Sequence, residues 1–496
     1  MKKILNIKAL AVALMLLASA CSKDYLETSP TNQVATSDAF STTKNAFAAV
    51  NGIHRILYSQ IYGSQPQGGQ SGNMMYMDIM GEDVVMNTIA NAGFRSEYQW
   101  LSHRNSNSIL SEYSYSFYYM IIGNANMIIA NIDNAEGPQA DKNAIKGQAL
   151  VYRAWAYFQM IQLFGERYIA GSPNSELGVP LVLAPTVEKT PRSTVAQVYA
   201  QINTDIDAAI VSLTGYNRGN TDKSQLNINV AKGIKARIAL TQQNWADAAK
   251  FAQEARQGFT LMTNAQYQAG FNDYGNPEWM WASRITADQT NFFYSYFAYI
   301  SSNYNSTAIR TSPRSIFSVL YDRITTTDVR KKLWDPTGAN TAFPIPLNGS
   351  RFRYMHNKFR VADPGLSIGD VPYMRVAEMY LIEAEALARS GNNTGAVTAL
   401  LPLAVNRDPS YTLSTKTGAA LIDEIMTQRR IELWGEGFRF YDLKRTNSAL
   451  NRNGGNHIAS VANSVLEVPA NDIRWQFLIP QEEINIGNGV VVQNPQ

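Results

Sequence analysis

The segment "NVAKGIKARIALTQQNWADAAKFAQEA", residues 229–255, predicts two short helices separated by a break at QQN. Apolar and small residues recur three and four positions apart, which places them on one face of each helix. Far downstream, "VAEMYLIEAEALARSGNNTGAVTALLPLA", residues 376–404, follows the same plan. At one constant offset, three residues of the first segment match three of the second, namely Ala236 with Ala384, Asn244 with Asn392 and Ala248 with Ala396.

Small residues at this spacing let two antiparallel helices approach closely, so both segments resemble tetratricopeptide-type helix pairs. Such pairs stack as repeats because a single pair cannot bury its apolar face alone. The Trp and Pro landmarks of that repeat are largely missing here, and a chance similarity between two alanine-rich helices is the alternative. The helical period also runs through other segments, at 39–62, 111–132, 143–165, 195–213 and 418–437. The expected fold is therefore mainly α.

Residues 261–370 have a different composition, in which Gly, Asn, Pro and aromatic residues are frequent. Within this part, "PEWMWAS" (277–283) and "SRFRYMHNKF" (350–359) alternate like short strands. We expect a loop- and strand-rich insertion that interrupts the stacked helices. A second stretch, "SQPQGGQSGN" at 64–73, is predicted to be a loop from its composition.

The chain begins with three lysines followed by "ALAVALMLLASA", residues 9–20, an apolar run of small residues. Twelve residues span roughly 18 Å as a helix, short of a ~30 Å hydrocarbon core, so the run predicts a secretory signal peptide. Cys21 is the sole cysteine and stands where a bacterial lipoprotein signal is cleaved. A sole cysteine cannot form an internal disulfide, whereas a lipid on it would anchor the protein. An ordinary secretory signal beside a chance cysteine is the alternative.

The charge of the chain argues against a nucleic-acid partner. The sequence holds 43 Lys and Arg against 40 Asp and Glu, and the predicted signal removes three lysines, so the mature chain is neutral with His uncharged. Nucleic-acid binding needs a basic excess or cluster. No later apolar run is long enough to span a membrane, which predicts a soluble body on a lipid tether.

Three C-terminal motifs together resemble the signature of the SusD/RagB family: "DVPYMRVAEMYLIEAEAL" (370–387), "IMTQRRIELWGEGFRFYDLKR" (425–445) and "FLIPQEEINIGNGVVVQNP" (477–495). The N-terminal half agrees through "CSKDYLETSPTNQV", "GEDVV" and "ALVYRAWAYFQMIQLFG" followed by "GVPLVL". The resemblance covers nearly the whole mature chain in the family's order. It implies a SusD-like helical fold and an outer-membrane lipoprotein displayed on the cell surface.

The resemblance further implies that the protein binds an oligosaccharide or polysaccharide and delivers it to a SusC-like TonB-dependent transporter. Some branches of the family bind peptides instead, and that alternative stays open. The resulting regions are a signal peptide at 1–20, a lipidated tether at 21–39, a helical region at 40–260, the insertion at 261–370 and a C-terminal SusD/RagB-like region at 371–496.

No catalytic, cofactor or metal constellation is recognisable in the sequence. The four histidines are scattered, and there is neither a His-Glu-x-x-His pair nor a Gly-x-Ser-x-Gly elbow. Glu432 and Glu436 share a helix face close to several arginines, which favours ion pairing over catalysis. Glu82 and Asp83 fit a solvated pair or a helix cap better than a cation or sugar site.

A non-enzymatic binding protein is predicted. The alternatives are a helical glycoside hydrolase, whose carboxylate pair would meet only in space, and a scaffold that binds only proteins.

Aromatic residues carry the binding prediction, since sugar rings stack on aromatic faces and use polar neighbours. Twelve of the 38 residues from Tyr267 to Tyr304 are aromatic, about three times the 11% of the whole chain. Trp279 and Trp281 fit a core role better than a binding role. Earlier in the chain, Phe94, Tyr98 and Trp100 form what we call the first cluster, with Arg95 and Asn105 beside them, and the run from Tyr267 to Tyr304 is the second cluster. One sequence does not show whether the two clusters face one groove. The residues predicted to contact ligand are Asn87, Arg95, Tyr98, Trp100, Asn291, Tyr294, Tyr296 and Tyr299.

Overall fold

Helices dominate the computed structural model of the chain, which describes residues 36–61, 67–89, 93–219, 221–289 and 295–496. The predicted mainly α fold is confirmed. The helices are α1 (Thr36–Ala39), α2 (Thr43–Ile56), α3 (Gly69–Ile79), α4 (Arg95–Tyr98), α5 (Ile109–Asn131), α6 (Gln139–Phe164), α7 (Val195–Ser212), α8 (Ile228–Thr241), α9 (Trp245–Ala255), α10 (Asn264–Tyr267), α11 (Phe297–Ile300), α12 (Thr307–Thr311), α13 (Ser318–Asp322), α14 (Val376–Arg389), α15 (Asn393–Arg407), α16 (Gly418–Glu432), α17 (Arg439–Arg445) and α18 (Gln481–Gly487).

Short antiparallel strands connect distant parts of the chain. They are β1 (Val84–Met86), β2 (Leu177–Pro180), β3 (Arg192–Thr194), β4 (Trp279–Ser283), β5 (Arg314–Ile316), β6 (Trp334–Asp335), β7 (Met355–His356), β8 (Val371–Arg375), β9 (Leu450–Asn451) and β10 (Glu467–Val468). One sheet has the order β1-β5-β7-β6, and the others are the pairs β2-β3, β4-β8 and β9-β10. The strand predicted in "PEWMWAS" is confirmed as β4, and "SRFRYMHNKF" contributes only the two residues of β7.

The two helix pairs adopt the predicted arrangement. Asn244 and Asn392 each cap the second helix of their pair, accepting the backbone N–H of Asp247 at 3.3 Å and of Gly395 at 2.9 Å. The four matched alanines are fully buried. Helix α9 packs against α14, so the two pairs stack although more than a hundred residues separate them. The shared sequence pattern therefore reflects shared structure.

The core is aromatic where the helices meet the insertion. Trp281 of β4 lies edge-on to Trp155 of α6, with ring centroids 5.2 Å apart, and Tyr373 of β8 packs on its other side at 5.1 Å. Trp279 and Trp281 are fully buried, which confirms their predicted core role. The pair β4-β8 is thereby fixed against the helices. None of the helices in the described ranges is both long and apolar enough to cross a bilayer.

The predicted loop at 64–73 is wrong for its second half, because helix α3 begins at Gly69. Gly69 has a left-handed φ of 57°, and the next residue donates its backbone N–H to the Leu57 carbonyl at 2.7 Å. A Cβ on Gly69 would collide with that carbonyl oxygen. The glycines that suggested a loop therefore permit a close backbone contact where α3 starts.

Gly69→Ala is expected to lower the free energy of unfolding by about 2 kcal/mol, because it adds a left-handed strain and a backbone collision. Gly52→Ala is the matched control, since Gly52 lies inside α2 and a Cβ there meets nothing within 4 Å. That control should gain about 0.5–1 kcal/mol from helix propensity. Urea unfolding of both variants measures the difference. Equal stabilities for the two variants would contradict the contact at Gly69.

Candidate functional site

The first predicted aromatic cluster lies inside the protein. Tyr98 is fully buried and Trp100 is 3% exposed. The Trp100 indole N–H donates to the Met80 carbonyl at 2.9 Å, and its ring lies edge-on to Trp475 with centroids 4.8 Å apart. The Tyr98 hydroxyl bonds His457 at 2.5 Å. The expectation of exposed stacking rings is therefore wrong for Tyr98 and Trp100, because core packing and internal hydrogen bonds already use both faces and polar atoms.

The second cluster is also packed inward where the structure describes it. Tyr296 is 2% exposed and its hydroxyl donates to the Gly435 carbonyl. Tyr299 is 9% exposed and lies edge-on to Phe94 at 5.0 Å, so the two predicted clusters do meet. They meet through rings that have little surface, which corrects the expected exposure of Tyr296 and Tyr299. Asn291 and Tyr294 lie outside the described residues.

The two remaining residues predicted to make polar contacts with ligand, Asn87 and Arg95, differ in their exposure. The Asn87 amide is buried and donates to the Pro313 carbonyl at 2.7 Å and to the Ser315 hydroxyl at 2.9 Å. These bonds tie β1 to β5, so the prediction of Asn87 as a free ligand contact is wrong in this arrangement. Arg95 is exposed at the start of α4. It stays a predicted ligand contact.

The carboxylates considered for chemistry are held in buried ion pairs. Glu436 binds Lys358 at 2.7 Å and Arg375 at 2.7 Å, and Arg375 also binds Glu432 at 3.0 Å. The predicted ion-pairing role of Glu432 and Glu436 is confirmed, although their partners are not the arginines nearest in sequence. Those arginines instead bind Asp442, Asp83 and Glu82. Because Glu82 and Asp83 are buried in these pairs, they are neither a solvated pair nor a cation site.

The four histidines are not placed to act as general bases near neutral pH. Burial lowers the pKa of His54, His103, His356 and His457 to about 3, so each ring is neutral. His54, His103 and His356 are buried, whereas His457 is half-buried, and the four rings have different neighbours. In the described ranges, no three His, Cys, Asp or Glu side chains are grouped to hold a metal ion.

A surface groove opens at the end of the β4-β8 pair. The strands are antiparallel, with Ser283 opposite Val371, so Arg284 and Asp370 leave the pair side by side. The two Asp370 carboxylate oxygens accept the backbone N–H groups of Tyr274 and Ile285, each at 2.8 Å. These bonds fix the loop that carries Tyr274 along one wall of the groove.

The opposite wall comes from the segments that flank α8 and α9. Lys223 lies in the connection before α8, where its backbone carbonyl accepts the N–H of Ala282 in β4 at 3.0 Å. Its neighbour Ser224 donates a backbone N–H to the Tyr274 hydroxyl at 2.6 Å. Phe259 follows the end of α9 and is half-buried. The helix pair and the insertion therefore form the groove together.

The groove combines two aromatic rings with charged and polar side chains. Its cavity volume is about 660 Å³, compared with about 60 and 160 Å³ for two other cavities. Ligand pockets are commonly about 300–1000 Å³, so a short oligomer fits. The residues that line it are Arg218, Thr221, Lys223, Asn227, Gly258, Phe259, Thr260, Asp273, Tyr274, Gly275, Pro277, Arg284 and Asp370.

Most of these residues could not be selected from the sequence. Tyr274 belongs to the aromatic run that the sequence singled out, and the polar, turn-forming "NDYGN" around it is the signal that favours a loop position. The prediction instead chose Tyr294, Tyr296 and Tyr299, which lie in a denser run of tyrosines further along the chain. Arg218, Lys223 and Phe259 come from other segments and carry no local signal.

Comparisons with known proteins give matches to family models and to solved structures along most of the chain. Residues 239–496 match the family model described as "SusD family", and residues 24–240 match the model described as "Starch-binding associating with outer membrane". The crystal structure of a SusD-like carbohydrate binding protein from Bacteroides vulgatus is 27% identical, with a TM-score of 0.79 over 90% of this chain and 97% of its own. A SusD superfamily protein from Bacteroides thetaiotaomicron is 25% identical, with a TM-score of 0.77 over 92% of this chain and 100% of its own.

Among curated relatives, SusD-like protein P2 of Formosa agariphila is 27% identical over 271 residues, which is 53% of this chain. The match spans 48% of that relative, so the chain spans about half of its length.

Proposed function

The chain belongs to the SusD/RagB family, and on that premise we propose that it is a non-catalytic glycan receptor of the outer membrane. Its ligand is an oligosaccharide or polysaccharide nutrient, which it passes to a SusC-like TonB-dependent transporter. Carbohydrate binding is named for the similar protein from Bacteroides vulgatus, and outer-membrane association for the model that matches residues 24–240.

The groove beside β4-β8 is the observation that supports a glycan ligand. Sugars present flat C–H faces and polar edges, which suit aromatic rings flanked by charged and amide side chains. Tyr274 and Phe259 supply the rings. Arg284 and Asp273 are exposed beside them, and neither forms an ion pair within the described part of the chain. Their polar atoms are therefore accessible to sugar hydroxyls.

Hydrogen bonding of the groove carboxylates supports binding over catalysis. A glycosidase needs one carboxyl group that can donate a proton and a second one nearby. In the groove, both oxygens of Asp370 are occupied by backbone N–H groups, and Asp273 accepts the N–H of Gly275 at 2.7 Å. Incubation with glycans should therefore give binding without cleavage, and steady product release would contradict the proposal.

Tyr274→Ala is expected to weaken glycan binding about tenfold, because an aromatic contact contributes on the order of 1 kcal/mol beyond its buried area. Calorimetric titration with a glycan that binds the wild type measures the loss. Tyr321→Ala is the matched control, since Tyr321 is a half-buried tyrosine outside the groove, and it should bind like the wild type. Melting temperatures of both variants separate a binding loss from unfolding. Unchanged affinity of folded Tyr274→Ala would contradict the site.

Membrane attachment is proposed through a lipid on Cys21, which lies outside the described residues, with the body facing the cell exterior. Protease treatment of intact cells tests this orientation, and full protection would contradict it. Partnership with a transporter is tested by mild detergent extraction of native membranes. Recovery of the protein without a transporter would contradict that part of the proposal.

A further inference from the structure

Three cations, Arg218, Lys223 and Arg284, and two carboxylates, Asp273 and Asp370, line the groove. Arg218, Lys223 and Arg284 make no ion pair within 4.0 Å in the described ranges of the chain. Buried cations elsewhere are mostly neutralised, as in the pairs Arg153–Asp205 and Arg407–Glu278. Lys223 is buried, Arg218 is half-buried and Arg284 is exposed, so the absence of a direct ion pair is most costly at Lys223.

Arg218 and Lys223 have few hydrogen bonds for their charge. The Arg218 guanidinium donates to the carbonyls of Gln225 and Met280, and its buried Nε–H has no partner. The Lys223 ammonium donates only to the Asn276 carbonyl. By contrast, the buried guanidinium of Arg452 makes five bonds to backbone carbonyls. Arg218 and Lys223 thus make fewer hydrogen bonds than Arg452, whose five N–H groups are all used, although the Arg218 Nε–H is buried out of reach of a ligand.

The two groove cations also repel each other. Burial, followed by the charge of Arg218, lowers the pKa of Lys223 to about 8. The charge of Asp273 acts in the opposite direction but does not restore the ordinary value. The other groove carboxylate, Asp370, is occupied on both oxygens by backbone N–H groups. Hydrogen bonding does not remove the charge of a carboxylate, so the groove lining has three cations against two carboxylates.

Resting on the proposed function, we propose that the glycan bound in this groove is acidic. It carries a sugar carboxylate or a sulfate ester, whose oxygens accept from Arg218, Lys223 and Arg284. Charge-assisted hydrogen bonds of this kind are about twice as strong as neutral ones. Arg284 is the exposed member at the mouth, and the other two cations lie deeper. The aromatic residues contact the apolar sugar face while the cations select the charge.

The test uses two pairs of probes that differ only in charge. One pair is tetragalacturonate and its methyl ester, and the other is a κ-carrageenan tetrasaccharide and its desulfated form. The acidic member of at least one pair should bind about tenfold more tightly than its neutral partner. A difference in the first pair indicates recognition of a sugar carboxylate, and a difference in the second pair indicates recognition of a sulfate ester. Raising the salt concentration should weaken binding of the acidic probe and leave binding of the neutral probe nearly unchanged.

Arg284→Gln should weaken the affinity for the acidic probe about tenfold and change the affinity for the neutral probe little. Lys332→Gln, at an exposed lysine outside the groove, is the matched control and should bind like the wild type. Equal affinity for charged and neutral members, or no binding of either acidic probe, would overturn this inference. Neutral glycan binding that Tyr274→Ala abolishes would still support the proposed function, so the two failures are distinguishable.

Discussion

Glu432→Gln is expected to lower the free energy of unfolding by about 3–5 kcal/mol, because it removes the charge shared by three buried arginines. One oxygen of Glu432 accepts from Arg375 at 3.0 Å and from Arg407 at 3.1 Å, and the other accepts from Arg330 at 3.2 Å. Burial alone would raise the pKa of Glu432, but the three guanidinium groups hold it well below its ordinary value. The carboxylate is therefore ionised in the folded protein, and glutamine cannot replace its charge.

This ion cluster joins three parts of the chain that are distant in sequence. Arg375 ends β8, Arg330 lies in the insertion and Glu432 ends α16. The Arg375 Nη1 atom that donates to Glu432 also donates to Glu278, which precedes β4. The loss at Glu432 is therefore expected to remove three ion pairs and to loosen the contact between the insertion and the C-terminal helices.

Asp423→Asn is the control for the charge change alone. Its partner is Arg323, and the two side chains are 61% and 38% exposed. Exposed pairs contribute about 0–1 kcal/mol, so this variant should unfold nearly like the wild type. Urea unfolding followed by tryptophan fluorescence compares the two variants. A similar small loss in both would show that the buried cluster contributes little.

Cys21→Ala is expected to move the protein from the membrane fraction to the soluble fraction. Each buried methylene of an acyl chain contributes about 0.8 kcal/mol, and stable anchoring takes more than one chain. The alanine variant has no thiol to carry these chains.

Fractionation of cells that express the wild type, Cys21→Ala and Ser22→Ala measures this change. Ser22→Ala keeps the thiol and should remain in the membrane. Retention of Cys21→Ala in the membrane as tightly as the wild type would contradict lipid attachment at this residue.

The helix pairs could be predicted because their signals are local. Asn244 and Asn392 cap helices through bonds three residues away, and the buried alanines beside them follow the helical period. Gly69 shows the opposite case, since its helix start depends on a contact with Leu57 in another element. Composition alone therefore predicted a loop at that position.

The candidate site could not be predicted for the same physical reason. Exposure of a ring depends on what packs over it, and Trp100 is covered by Trp475, which lies far along the chain. The groove gathers Arg218, Tyr274 and Arg284 from three separate segments. The aromatic enrichment of residues 267–304 includes Tyr274, but the prediction chose later tyrosines, and the groove cations are brought together only by the tertiary fold.

A crystal structure with a bound oligosaccharide is the most direct test of the central claim. The ligand should be the glycan that binds most tightly in solution. We predict an intact oligosaccharide in the groove, with a sugar ring against Tyr274 or Phe259 and polar groups within hydrogen-bond distance of Arg284. A glycan bound elsewhere, with the groove empty of sugar, would contradict the assignment of this site.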